Sequence, residues 1–199
     1  MSPKSLTTGE YPTQVGHFER RRDWAAWLKK HDASSPGLWL KFAKKGADTP
    51  SVSYDEAVEV ALCHGWIDGQ KKALDEQFWL QRFTPRSARS VWSKINKDKA
   101  LALVAAGKMA AAGLAEIERA KRDGRWDAAY DGARRSVVPG DLAAALEANP
   151  RASAFFAMLD KTNRYSVLFR VQTAVRPETR ARRIGQLVQM LARREKFHP

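Results

Sequence analysis

The sequence predicts an α+β fold: a small antiparallel sheet with covering helices in the N-terminal part, then an all-α C-terminal module. Three observations point there. Two short runs bounded by turn residues, "LWLKF" (38–42) and Phe78 to Phe83, read as strands. Helical spacing of apolar residues dominates from Ser90 onward. Between them and the C-terminus lies "DGARRSVVPGD" (131–141), a linker by composition. The expected organisation is a flexible leader over 1–16, an α+β domain over 17–133 and a helical module over 137–199. A chain of 199 residues is one domain or two small ones. At that length roughly 70% of the unfolded surface can be buried, so no disulfide or metal is required.

The elements follow in order. Pro3, Gly9, Pro12 and Gly16 mark the leader. In "FERRRDWAAWLKKH", Trp24, Trp27, Leu28 and His31 stand at i, i+3, i+4 and i+7, the spacing of an amphipathic helix. "ASSPG" breaks it. In "SVSYDEAVEVALCHG" Ser53 and Glu56 fit a capping box, Tyr54, Val58, Ala61 and Leu62 share a face, and Gly65 closes the helix. Asp68-Gly69 reads as the turn that leads from Trp66 and Ile67 into the second strand, which Pro85 stops. Helices are expected from about Trp92 to Ala106 and from Ala111 to Arg122, ended by Gly107 and Gly124. "RWDAAYDGARRS" reads as a short helix fading into the linker. Asp141 is placed to cap "LAAALEA", and Asn149-Pro150 is an N-cap with a first-turn proline. Pro177 opens the last helix, with Ile184, Leu187, Val188 and Leu191 as its apolar stripe.

Charge is unevenly spread. The net charge is +13, and residues 151–199 alone carry 11 basic against 3 acidic side chains. An excess of that kind either keeps a protein in solution or contacts a polyanion, nucleic acid or an anionic membrane surface. Arg182, Arg183, Arg193 and Arg194 on the last helix would supply the contact. The longest apolar runs fall short of the ~20 residues of a membrane span. "MSPKSLTTGEYPTQVGHFERRR" has no apolar h-region, and the single cysteine suits a reducing compartment, so a cytoplasmic protein is expected.

The stretch "ALCHGWIDGQ" (61–70) gathers a cysteine, a histidine, a tryptophan and an aspartate. Cys63 and His64 are helix neighbours, so their side chains diverge by about 100° and do not form a nucleophile–base pair. A buried cysteine and a histidine at a helix C-terminus are the ordinary structural reading. One cysteine and scattered histidines offer no metal-ligand spacing, and no phosphate loop or other cofactor motif is present. In "QRFTPRSARSVWSKINK" (81–97), cations surround a helix start that Ser90 or Ser93 would cap, an arrangement that suits an anion. Trp66, Asp68, Arg82, Arg86, Trp92 and Lys94 are therefore the candidate ligand-binding residues, with Asp68 as the acid or base if the site is catalytic.

"WLKFAKK", "SYDEAVEVALCHGWIDGQ", "QRFTPR", "WSKINK", "GLAEIERAKRDGRWDAAY" and "RPETRARRI" together resemble the YdeI/OmpD-associated, or bacteriocin-protection, family, from about Trp24 to Leu191. The C-terminal part resembles its small helical module through Pro139, Asp141, Leu142, Leu146, Phe156, Leu159, Thr179, Arg180, Arg183 and Ile184. The resemblance implies a link to tolerance of antimicrobial peptides and an association with an outer-membrane porin. It transfers no catalytic residue. Three readings follow: a binding protein for an anionic partner, a protein-interaction module in envelope-stress tolerance, or a small-ligand protein or enzyme built on the Trp66–Lys94 set.

Overall fold

The computed structural model describes residues 14–199. These divide into two compact units. One runs to Ser90 and takes in Ala102–Glu116; the other holds Val91–Leu101 and Ile117–Pro199, and so contains all of 137–199.

The first unit is a four-stranded sheet, β1 (Val15–His17), β2 (Leu38–Ala43), β3 (Trp66–Ala73) and β4 (Phe78–Pro85), in the order β1-β2-β4-β3. Helices α1 (Arg21–His31) and α2 (Tyr54–Cys63) accompany it. The sheet is mixed, not wholly antiparallel: β1 pairs with β2 in parallel, while β2–β4 and β3–β4 are antiparallel. The reason is connectivity. The chain passes from β1 through α1 to β2, and a helical crossover returns a strand in the same direction. Val15 and Gly16 of the expected leader belong to β1, and residues 1–13 of it lie outside the described residues.

Asp68-Gly69 is not a turn. Both residues lie within β3, where Asp68 faces Phe83 but Lys71 faces Gln81, so Gly69 and Gln70 together oppose Arg82 in a bulge. The buried Gln81 amide donates to the Gly69 carbonyl at 2.8 Å. The hairpin turns instead at Asp75, whose carboxylate accepts the Gln77 and Phe78 amides at 2.9 and 2.7 Å. An aspartate that takes its own downstream amides makes a turn without glycine.

The α2 capping box is complete. The Ser53 hydroxyl accepts from the Glu56 amide, and the Glu56 carboxylate accepts from the Ser53 amide at 3.0 Å. The Ser53 hydroxyl also donates to that carboxylate at 2.7 Å, and this bond, followed by the one from the Ser53 amide, holds the Glu56 carboxyl below its ordinary pKa. Gly65 ends the helix at φ +72°, and a side chain there would meet the Ala112 carbonyl. The core gathers Trp24, Leu28, Leu40, Phe42, Trp66 and Phe83, all nearly inaccessible.

Helices α3 (Lys94–Ala105) and α4 (Ala111–Arg122) carry the chain between the units, and Gly107 and Gly124 end them with positive φ, as expected. After α4 comes a series of turns and not the expected short helix. Its cause is local: the Asp123 carboxylate binds the Arg125 guanidinium at 2.7–2.9 Å and also its amide, which holds this stretch out of helical geometry.

In the second unit α5 (Gly140–Glu147), α6 (Pro150–Met158), α7 (Lys161–Gln172) and α8 (Pro177–Ala192) bury Leu142, Leu146, Phe156, Val167, Val171, Ile184, Leu187 and Leu191 in one cluster. Asn149 caps α6 through its side chain, with Pro150 behind it, as its sequence indicates. Asp141 is not the cap of α5. The helix starts at Gly140, and Asp141 sits in its first turn, held by Arg180 of α8 at 2.6 and 2.9 Å. The same guanidinium donates to the Val171 carbonyl at the end of α7. One arginine therefore joins three helices.

Three substitutions test these points. Gly113 lies where an added Cβ would overlap the Cys63 carbonyl oxygen, whereas the exposed mid-helix Gly185 has nothing within 4 Å. Gly113→Ala is expected to lower the unfolding free energy by about 1–3 kcal/mol. Gly185→Ala is expected to raise it by up to about 1 kcal/mol; urea denaturation reads both. Arg180→Met is expected to cost about 1–2 kcal/mol at neutral pH. The Arg180 hydrogen bonds hold the Asp141 carboxyl below its ordinary value. A depressed carboxyl contributes stability above its unfolded pKa and loses it as pH falls through the folded one, so the Arg180→Met deficit should shrink below pH ~4.

Candidate functional site

In the first unit the sequence-nominated residues are firmly built in. The Trp66 ring is buried, and its N–H donates to the Asp32 carbonyl at 3.1 Å. His64 reaches the Asp32 carboxylate through Nδ1 at 2.9 Å. Asp32 is the C-cap of α1, so the "CHGW" stretch is clamped on a helix end. Cys63 is buried, and burial pushes its thiol pKa up, which removes it as a nucleophile at neutral pH. Asp68 is half-buried and accepts from the Tyr54 hydroxyl at 2.6 Å. Arg82 lies over the Trp39 ring at 5.9 Å. Arg86 is buried, and its amide donates to the Gly65 carbonyl.

In the second unit Trp92 is buried against Trp126, with ring centroids 4.8 Å apart. Lys94 pairs with Asp131 at 2.7 Å. The start of α3 is already occupied. The Ser93 hydroxyl takes the Asn96 amide and the Tyr130 carbonyl takes the Lys94 amide. Ser90 instead accepts from Ser87.

The four arginines nominated on and just after α8 divide by environment. Arg182 is exposed. Arg193 is exposed and forks onto Glu195, with two contacts of 3.0 Å. Arg194 closes α8 at φ +60°, a position more often taken by glycine. Arg183 is half-buried and donates to the Arg170 carbonyl at 2.9 Å and the Thr173 hydroxyl at 3.4 Å.

Three pockets of the second unit share one chemical character. The first, about 370 Å³, is lined by Arg170, Arg183, Gln186, Leu187, Met190 and Phe197. Another, about 400 Å³, holds Arg151 and Arg194 beside Phe155 and Met158. A further one, about 390 Å³, holds Arg134, Lys161 and Arg164 beside Tyr165. Among the described residues no carboxylate lines any of the three, and each has an aromatic wall. Cationic groups beside apolar rings, without acidic partners, suit an anionic ligand carrying an apolar part. None of the three is lined by Trp66, Asp68, Arg82 or Arg86.

Arg134, Arg151, Lys161, Arg164 and Arg170 escaped the sequence reading. Its only signal for the last four was the basic excess of residues 151–199, and Arg134 stood only in the linker, because their grouping depends on helix packing. Among the described residues no group of three or more metal-binding side chains occurs, and no helix is long and apolar enough to cross a membrane.

Residues 16–116 match the model of a family described as Domain of unknown function (DUF8412). Residues 135–194 match that described as Bacteriocin-protection, YdeI or OmpD-Associated. No curated protein and no solved structure matches the chain significantly. Asp141 and Arg180, two residues of the second resemblance, are the ion pair that joins α5 to α8. The chain thus belongs to the DUF8412 family over its N-terminal half and carries a bacteriocin-protection, YdeI or OmpD-associated module at its C-terminal end.

Proposed function

We propose that this is a non-catalytic binding protein of the cytoplasm whose helical module engages an anionic partner, in support of tolerance to antimicrobial peptides or envelope stress. The observation that carries the reading is the acid-free, arginine-lined character of the three pockets. The 11-to-3 basic excess of residues 151–199 agrees with it. The tolerance role follows the family match over 135–194. The cytoplasmic assignment rests on the single cysteine, which suits a reducing compartment.

Binding to a polyanion releases counterions, so affinity must fall steeply with salt. Full-length protein is expected to bind labelled DNA or RNA, or vesicles rich in phosphatidylglycerol, with affinity dropping from ~50 to ~200 mM salt. Replacing Arg182, Arg193 and Arg194 together by glutamine should flatten the salt slope by about 2 to 3 in log units if each neutralises one phosphate. Anisotropy and vesicle sedimentation decide which polyanion is taken. Absence of binding to all three at the lowest salt overturns the reading and directs the search to a protein partner.

A further inference from the structure

The pocket between α7, α8 and the C-terminal tail is built more firmly than a surface groove. Its tail wall is Phe197, fixed by the buried Asn163 of α7. The Asn163 side-chain oxygen accepts the Phe197 and His198 amides at 3.0 and 2.9 Å, and its amide nitrogen donates to Asp160 at 2.7 Å. The Arg170 guanidinium lies over the Phe197 ring at 3.6 Å and donates through Nη1 to the Ser166 carbonyl at 2.8 Å. The Arg183 Nη1 is held by the Arg170 carbonyl and the Thr173 hydroxyl. Both guanidinium groups are thus oriented by neutral acceptors, and among the described residues no carboxylate neutralises either.

Like charges held together are costly, and burial and the Arg183 charge together lower the Arg170 pKa. A carboxylate would offset one of the two charges. A phosphate monoester carries about −1.5 to −2 at neutral pH and offsets both. Leu187, Met190 and Phe197 supply an apolar wall beside the cations. A cavity of about 370 Å³ lies at the small end of ligand sites.

We infer that the Arg170–Arg183–Phe197 pocket binds a phosphate monoester bearing a short apolar group, the two guanidinium forks taking the phosphate and the Leu187–Met190–Phe197 wall the chain. Such a group exists both as a free alkyl phosphate and as a phosphatidate headgroup. The pocket does not depend on binding of a polymer, since the probe is a small molecule measured alone.

The test is calorimetric titration of full-length protein with hexyl phosphate, against hexanol and hexanoate. Saturable single-site binding of hexyl phosphate is expected, at least about tenfold tighter than either control. Arg170→Gln should weaken it about tenfold or more. Gln186→Glu changes an exposed pocket residue, so the fold is retained while a negative charge faces the phosphate and pairs with the guanidinium groups; it should abolish binding with the melting temperature held or raised, not lowered. Vesicles containing phosphatidic acid separate the sources. Retention that Gln186→Glu abolishes assigns the lipid headgroup, and hexyl phosphate binding without retention assigns a free compound. The inference is overturned if hexyl phosphate does not bind, if hexanol or hexanoate binds as tightly, or if Gln186→Glu binds as the unmodified chain does.

Discussion

The first unit depends on satisfying two buried indole N–H groups. A buried indole without an acceptor loses much of what its ring contributes by leaving water. Trp24 donates to the Ala57 carbonyl of α2, and Trp66 donates to the Asp32 carbonyl at the end of α1. Each bond ties a different pair of elements. Their rings also meet edge-on, 6.2 Å apart, with Phe83 of the sheet at 5.8 Å from Trp24. Helix α1 is thereby located against α2, β3 and β4 at once. The crowding of the "CHGW" stretch follows: Cys63 is buried, His64 turns to Asp32, and Gly65 passes the Ala112 carbonyl where no side chain fits.

The second unit is organised differently. The cluster shared by α5–α8 is apolar and mostly aliphatic, and its polar order lies at helix ends. Arg180 bridges Asp141 and the Val171 carbonyl, Arg183 reaches the Arg170 carbonyl, and Asn163 receives the tail. Lone α-helices of eight to sixteen residues are marginal in water, so such ties matter as much as the shared core. They also divide the arginines. Arg180 is neutralised and structural, whereas Arg170 and Arg183 are oriented by neutral groups and keep their charge for a ligand. A basic excess in a sequence cannot make that distinction.

Local signals were legible wherever a few neighbouring residues settle the backbone. The Ser53/Glu56 box, Gly65, Gly107 and Gly124, Asn149-Pro150 and the stripe of α8 all stand where their chemistry puts them. The short helix expected after α4 failed for a local reason, the Asp123–Arg125 contact, and two other readings failed because a distant partner competes. Asp68-Gly69 has turn chemistry, but pairing along β4 absorbs it into a bulge, and Asp75 makes the turn. Asp141 has capping chemistry, but Arg180, 39 residues away, takes both its oxygens.

The sequence by itself determined the fold class, most helix ends, the concentration of charge near the C-terminus and the family resemblance of the helical module. The helix ends rest on residues within about one turn, the charge on composition, and the resemblance on an ordered string of residues from Pro139 to Ile184. Tertiary structure alone decided the parallel pairing of β1, which needs the crossover through α1. It also decided which cations share a pocket: Arg170, Arg183 and Phe197 come from α7, α8 and the tail, and only helix packing sets them around one cavity. Side-chain charge is written in the sequence, but whether an acidic neighbour cancels it is fixed only when the helices pack.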